Sequence, residues 1–173
     1  MTEVNTKKIL TIILAGLLVA LMISGAPVKA EDETDVDAEV EVLPAGDTYY
    51  AAKVIGFRST ILPRLVLGEP DGWSAFVFRN GWILLELESS VSDVGAISIW
   101  AANSGWHSSN MRIYVSADGK KWKPVGNEKV ESEDFLKYDF TGSFGSVKYI
   151  EVCRNGWPWS WLRLDAVGAK GGE

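Results

Sequence analysis

"NMRIYVSADGKKWKPVG", Asn110–Gly126, decides how this chain folds. Met111, Ile113 and Val115 alternate with Arg112 and Tyr114, the period of two that marks a strand with one face buried and one wet. Asp118-Gly119 then supplies turn chemistry, because glycine takes positive φ freely and a short Asp side chain bonds to nearby backbone. Apolar residues resume beyond it at Trp122 and Val125. The spacing predicts an antiparallel hairpin, with Trp122 facing inward on its second strand.

The same period repeats in both directions. Upstream lie "SAFVF" (Ser74–Phe78), "WILLEL" (Trp82–Leu87) and "AISIWA" (Ala96–Ala101); downstream lie "FLKYDF" (Phe135–Phe140), "VKYIEV" (Val147–Val152) and "WLRLDAV" (Trp161–Val167). Gly, Asn, Asp and Ser clusters separate them. "TYYAAKVIGF" (Thr48–Phe57) and "KWKPV" (Lys121–Val125) complete eight or nine short strands. Past residue 45 no helical spacing is sustained and no long repeat occurs. An all-β fold, an antiparallel β-sandwich, follows.

The folded part does not begin at residue 1. Lys7 and Lys8 precede the apolar run Ile9–Ala26, and "VKA" places modest residues before Glu31. Residues 1–30 have the pattern of a hydrophobic helix that is either a cleaved secretory signal or a retained N-terminal anchor. In both cases the lysines stay inside and the remainder is exported, so membrane contact is expected only through this segment. Residues 31–44 hold seven acids and no base. Self-repulsion and scarce apolar area make them an acidic, disordered linker.

Residues 45–173 carry 14 Lys and Arg against 15 Asp and Glu, a net of −1. A nearly neutral domain without a basic cluster excludes nucleic acid as the partner. Cys153 is the only cysteine, so the domain has neither an internal disulfide nor a cysteine-based metal site. Its stability is expected from burial, with the eight tryptophans contributing much of it.

The ordered series "ISIW…NMRIYVSADGKKWKPVG…FLKYDFTG…VKYIEV…WLRLDAV" resembles the discoidin, or coagulation-factor C-type, branch of the galactose-binding-like jelly rolls. "LGEPDGW" (Leu67–Trp73) is similar to a segment at the start of exported members. The resemblance spans roughly Thr48 to Ala169. It implies a non-enzymatic module that binds carbohydrate or another surface ligand through loops at one end of the sandwich. It also implies a structural calcium near the meeting of the first and last strands.

Two loops are candidates for that end. In "AANSGWHSSN" (Ala101–Asn110), Asn110 matches the family's asparagine before the "Y-V-S" strand, while Asn103 stands where an arginine is usual. That departure weakens a galactose-type specificity. Trp106 and His107 lie at the loop tip, where a flat ring stacks on the C–H face of a sugar. The second loop, "RNGWPWSW" (Arg154–Trp161), contributes Asn155, Trp157 and Trp159, with Pro158 biasing Trp157 toward an extended backbone. Core is the competing role for tryptophan; Trp82, Trp100, Trp122 and Trp161 are expected there, and Trp106 outside. Arg79 and Arg112 join the site if they reach the rim.

For calcium, Glu69 and Asp71 of the "EPDGW" turn and Asp165 of "RLDAV" are the candidate oxygen donors. An acid on a strand needs an ion, an arginine or backbone donors if buried; Asp71 has the competing role of bonding its own turn. Catalysis has little support: one histidine, His107, must serve any nucleophile, and no spacing pairs carboxylates. Two functions remain. One is a glycan-binding or envelope-binding module. The other is a structural or assembly domain, such as part of a surface layer, that uses the same aromatic rim against protein.

Overall fold

Alternation builds the interior of this domain, for which a computed structural model describes residues 47–172. The leader and linker expected over 1–30 and 31–44 lie outside the described residues. Eight strands follow one another: β1 (Thr48–Ile61), β2 (Ala75–Val91), β3 (Val94–Gly105), β4 (Ser109–Ser116), β5 (Lys123–Val130), β6 (Leu136–Thr141), β7 (Val147–Gly156) and β8 (Ser160–Gly171). A short 3₁₀ turn, Pro63–Val66, separates β1 from β2.

All pairings are antiparallel, in the order β5-β4-β7-β2-β1-β8-β3-β6 with an additional β2–β8 contact. The extra contact folds the sheet into two layers. β2 pairs β8 at Ala75–Val77 and β7 at Trp82–Glu86, so one long strand crosses from layer to layer. "SAFVF" and "WILLEL", expected as separate strands, are therefore its two halves. Asn80, at φ 55°, and Gly81 bend it between them. A Cβ on Gly81 would sit 2.7 Å from the Ser59 carbonyl oxygen, which is why glycine stands at the corner. β1 makes the matching handover: Thr48–Tyr50 pair with β8, and the residues from Ala51 onward pair with β2. The first and last strands meet as expected.

The predicted β4–β5 hairpin is present, with Gly119 at φ 69°. The Asp118 carboxylate accepts the N–H groups of Lys120 and Lys121, each at 2.8 Å. Trp122 lies in the connecting turn, one residue before β5, and is only half-buried.

The core is aliphatic. Ile83, Leu85, Ile113, Val115, Ile150 and Val152 from one layer face Ile97, Ile99, Leu162, Leu164 and Val167 from the other. Each such side chain contributes about 1.5–3 kcal/mol on burial. No tryptophan belongs to this set, which corrects the expectation that indoles supply much of the core. The phase of the alternation explains it. Trp82 precedes the inward Ile83, and Trp100 lies between the buried Ile99 and Ala101, so both occupy outer faces and are half-buried. The Trp82 ring covers Gly56 of β1, where a Cβ would come within 3.1 Å. Trp100 lies beneath the Lys137 ammonium, 5.3 Å from its ring centre, and beside Tyr50. Trp161, expected as core, also turns outward and packs edge-on against Phe78.

Candidate functional site

Register alone sets the two tryptophan-rich loops against each other. Gly105, the last residue of β3, pairs with Ser160, the first of β8. Ser109, the first of β4, pairs with Gly156, the last of β7. The β3–β4 loop (106–108) and the β7–β8 loop (157–159) thus rise from four strand ends that are hydrogen-bonded in pairs. They share one rim of the sandwich.

Their rings stand in water. Trp106 is 94% exposed, Trp157 64% and Trp159 72%, with Trp161 at 37% beside them. His107 packs against Trp157, ring centroids 5.4 Å apart and planes 33° from parallel. An indole face left wet forgoes apolar burial worth roughly 25 cal/mol per Å², and three such rings stand on these two loops.

Beneath the rim lies a polar plug that sequence reasoning did not identify. The inward phase of β3 runs Ile97, Ile99, Ala101 and then Asn103; that of β4 starts at Ser109; that of β7 ends at Arg154; that of β8 starts at Ser160. All four polar residues are therefore buried at the same end of the core. The Asn103 amide donates to the His107 carbonyl at 2.9 Å and accepts from the Ser109 hydroxyl at 2.9 Å. Arg154 donates from Nη2 to the Trp157 carbonyl at 2.5 Å and from Nε to Ser109 Oγ at 3.4 Å. One side chain thus ties down each loop through its backbone, which leaves the rings above free. The signal for Arg154 was in the sequence, as the third inward position after Ile150 and Val152.

Gly105 closes the arrangement. It adopts φ 120°, and a Cβ there would lie 2.3 Å from the Trp159 carbonyl oxygen. Only glycine permits the two loops to approach this closely.

The residues singled out in the sequence divide accordingly. Trp106, His107, Trp157 and Trp159 are together on the rim. Asn110 and Asn155 are a cross-strand pair on the outer face of β4 and β7, just below it. Asn103 is not at the surface: it is 3% exposed, because its place in the β3 alternation points it inward. Arg112 follows Asn110 by two on the same outer face. Arg79 sits at the β2 corner, exposed, next to the Phe78 that meets Trp161.

Two of the three acids proposed for calcium, Asp165 and Asp71, have backbone partners. Asp165 is buried at a register irregularity of β8, and its carboxylate accepts the N–H groups of Asp71 and Gly72 at 3.1–3.2 Å. Asp71 Oδ1 accepts the Trp73 N–H at 2.9 Å. Of the alternatives for a buried Asp165, backbone donors fill the role. Backbone donors thus engage both oxygens of Asp165 and one of Asp71, and a calcium ion here would have to share them. Among the described residues no group of three His, Cys, Asp or Glu side chains converges as a metal site. The Cys153 thiol is equally unsuited to chemistry: burial and the adjacent Glu151 carboxylate, to which it donates at 3.3 Å, push its pKa up to about 12.

Comparison of the sequence with family profiles and with curated proteins gives no match. Among solved structures, the fold is similar to a "Carbohydrate binding module family29", at 14% identity over 70% of this chain and 79% of that one, TM-score 0.50. A variant of the CBM29-2 module aligns over 72% of this chain and 91% of its own, at 13% identity and TM-score 0.51. Another CBM29-2 variant, described as complexed with cellulohexaose, aligns at 14% identity over 70% of this chain and 81% of its own, TM-score 0.50. These likenesses establish the β-sandwich architecture.

Proposed function

We propose that this protein is a non-catalytic binding module that recognises glycan, or another sugar-bearing envelope component, on the rim formed by Trp106, His107, Trp157 and Trp159. One observation carries the reading: three wet indoles are concentrated on two loops whose backbones are fixed from below by Asn103 and Arg154. Loops held in place before the ligand arrives lose little backbone freedom on binding, which favours stacking of their rings on a sugar face. Asn110 and Asn155 supply amide groups for hydroxyls below the rings. Asn103 acts on the loop and makes no ligand contact.

A structural neighbour complexed with cellulohexaose supports a saccharide as the ligand class for this fold. The order of strand and turn motifs supports a discoidin-like ancestry within it. The leader, Lys7-Lys8 followed by Ile9–Ala26, supports an exported domain whose ligand lies at or beyond the cell surface.

Affinity electrophoresis through gels cast with a panel of soluble polysaccharides tests the reading. The protein should be retarded by at least one, and the Trp106→Ala, Trp157→Ala double variant should lose at least about tenfold in affinity, the equivalent of burying one indole face. Equal retardation of both proteins overturns it. Concentration-dependent self-association that ignores every polysaccharide would instead assign the rim to protein contacts in an assembly.

A further inference from the structure

The β7–β8 connection carries three indoles across the top of the sandwich in chain order. β7 lies in one layer and β8 in the other, and stacked sheets are about 10 Å apart, so the residues after Gly156 cross that gap. Trp157 leaves β7 and Trp159 reaches β8. Ser160 is fully buried, so Trp161, the next residue in the alternation, points outward again. It meets Phe78 of β2 edge-on, with ring centroids 5.9 Å apart. The apolar surface of the rim therefore continues over its edge onto a fourth indole, 37% exposed and supported by a second aromatic ring.

The loops do not wall this surface in. Each has three residues, 106–108 and 157–159, and Trp106 on the neighbouring loop is 94% exposed. Telling a chain end from the middle of a chain requires groups that enclose the terminal sugar, as a concave pocket does. Magnitudes point the same way. One indole face of roughly 100 Å², half of what a whole tryptophan buries, contributes on the order of fifty- to a hundredfold to an association constant. The freedom lost on association costs on the order of a thousandfold or more. One sugar on one ring is too little, so a ligand must cover several rings at once.

We propose that this rim binds the interior of an extended polysaccharide chain, with consecutive sugars laid along the β7–β8 connection from Trp157 over Trp159 to Trp161. The proposal rests on the glycan reading of the rim. It narrows that reading to chain interiors, as opposed to chain ends or free small sugars, and it adds Trp161 as the outlying contact.

Calorimetry of the full chain with sized fragments tests it. The soluble polysaccharide that retards the protein most is cut by limited hydrolysis and separated into fragments of two and of six sugars. We expect the six-sugar fragment to bind at least about tenfold more tightly than the two-sugar one. Trp161→Ala should lower the affinity of the longer fragment at least about fivefold, and Trp161→Phe, which keeps a ring, should retain most of it. Phe57→Ala, which removes a 53% exposed ring on β1, should change nothing. Equal affinity for the two fragments, or Trp161→Ala without effect on the longer one, overturns the chain-interior inference and leaves the glycan reading standing. A protein that no polysaccharide retards overturns both.

Discussion

The Trp157 ring lies 5.4 Å from the His107 ring, centroid to centroid, and this contact joins two loops that are distant along the chain. Each partner is also held by a hydrogen bond to its own carbonyl, His107 from Asn103 and Trp157 from Arg154. The stack and the two bonds place the aromatic rim without any side chain above it. That arrangement ties the inward polar plug to the outward aromatic surface, and several outcomes depend on it.

Gly105 is the tightest point of the rim. Gly105→Ala meets both a positive φ and the Trp159 carbonyl, so it should destabilise the domain by about 2–4 kcal/mol. Gly145→Ala, at φ 71° with open space around the added methyl, should cost only about 1–2 kcal/mol. Urea denaturation of both variants checks the difference. Equal losses would show that the loops are free to separate.

Asp165 should behave as a structural acceptor. Asp165→Asn removes its charge and turns an amide donor toward the Asp71 and Gly72 N–H groups, at a cost of about 1–3 kcal/mol. Chelator and added calcium should leave the melting temperature of the native protein unchanged. A fall with chelator that calcium reverses would place an ion at this turn and revive the original expectation for Glu69, Asp71 and Asp165.

How much of this was legible beforehand is clear from particular residues. Met111-Ile113-Val115 and Asp118-Gly119 specify the hairpin because alternation and turn chemistry are local. Trp106 and Trp157 were legible as loop residues, and the common end of their two loops was what the family resemblance implied. Asn103 was misplaced because its loop context concealed its phase: counting by twos from Ile97 puts it inside. Trp82, Trp100 and Trp161 were misassigned for the opposite reason, hydrophobicity outweighing phase. "SAFVF" and "WILLEL" looked separate because an Arg-Asn-Gly turn signal does not reveal that both strands it joins run on as one. Arg154 could be read as inward, but its partners there depend on what every other strand brings to that end.

Cys153 should be nearly inert. With its pKa pushed up to about 12, the thiolate population at pH 8 is on the order of a thousandfold below that of an ordinary cysteine near 8.5. Native protein should react correspondingly slowly with Ellman's reagent and unfolded protein at the normal rate. Comparable rates in the two states would contradict the placement of Cys153 beside Glu151.

The β4–β5 turn sets a pH dependence. The backbone donors of Lys121 and Lys120 lower the Asp118 pKa from 3.8 to about 2. A folded-state value below the unfolded one means that this carboxylate contributes stability above the unfolded pKa and loses the contribution as pH falls through the folded one. The window is therefore pH 4 down to 2. The Asp118 side-chain carbonyl resonance should titrate with a midpoint near the lower limit; a midpoint near 4 would mean the turn does not hold its acid.

Recognition by this rim requires that a saccharide touch its indoles and not those of the outer sheet faces. Indole N–H resonances of the eight tryptophans, followed by NMR while a bound polysaccharide fragment is titrated, report this ring by ring. Shifts centred on Trp106, Trp157 and Trp159, with Trp82, Trp100 and Trp122 unmoved, are the predicted result. Shifts centred on Trp82, on the outer face of β2, with the rim silent would contradict it.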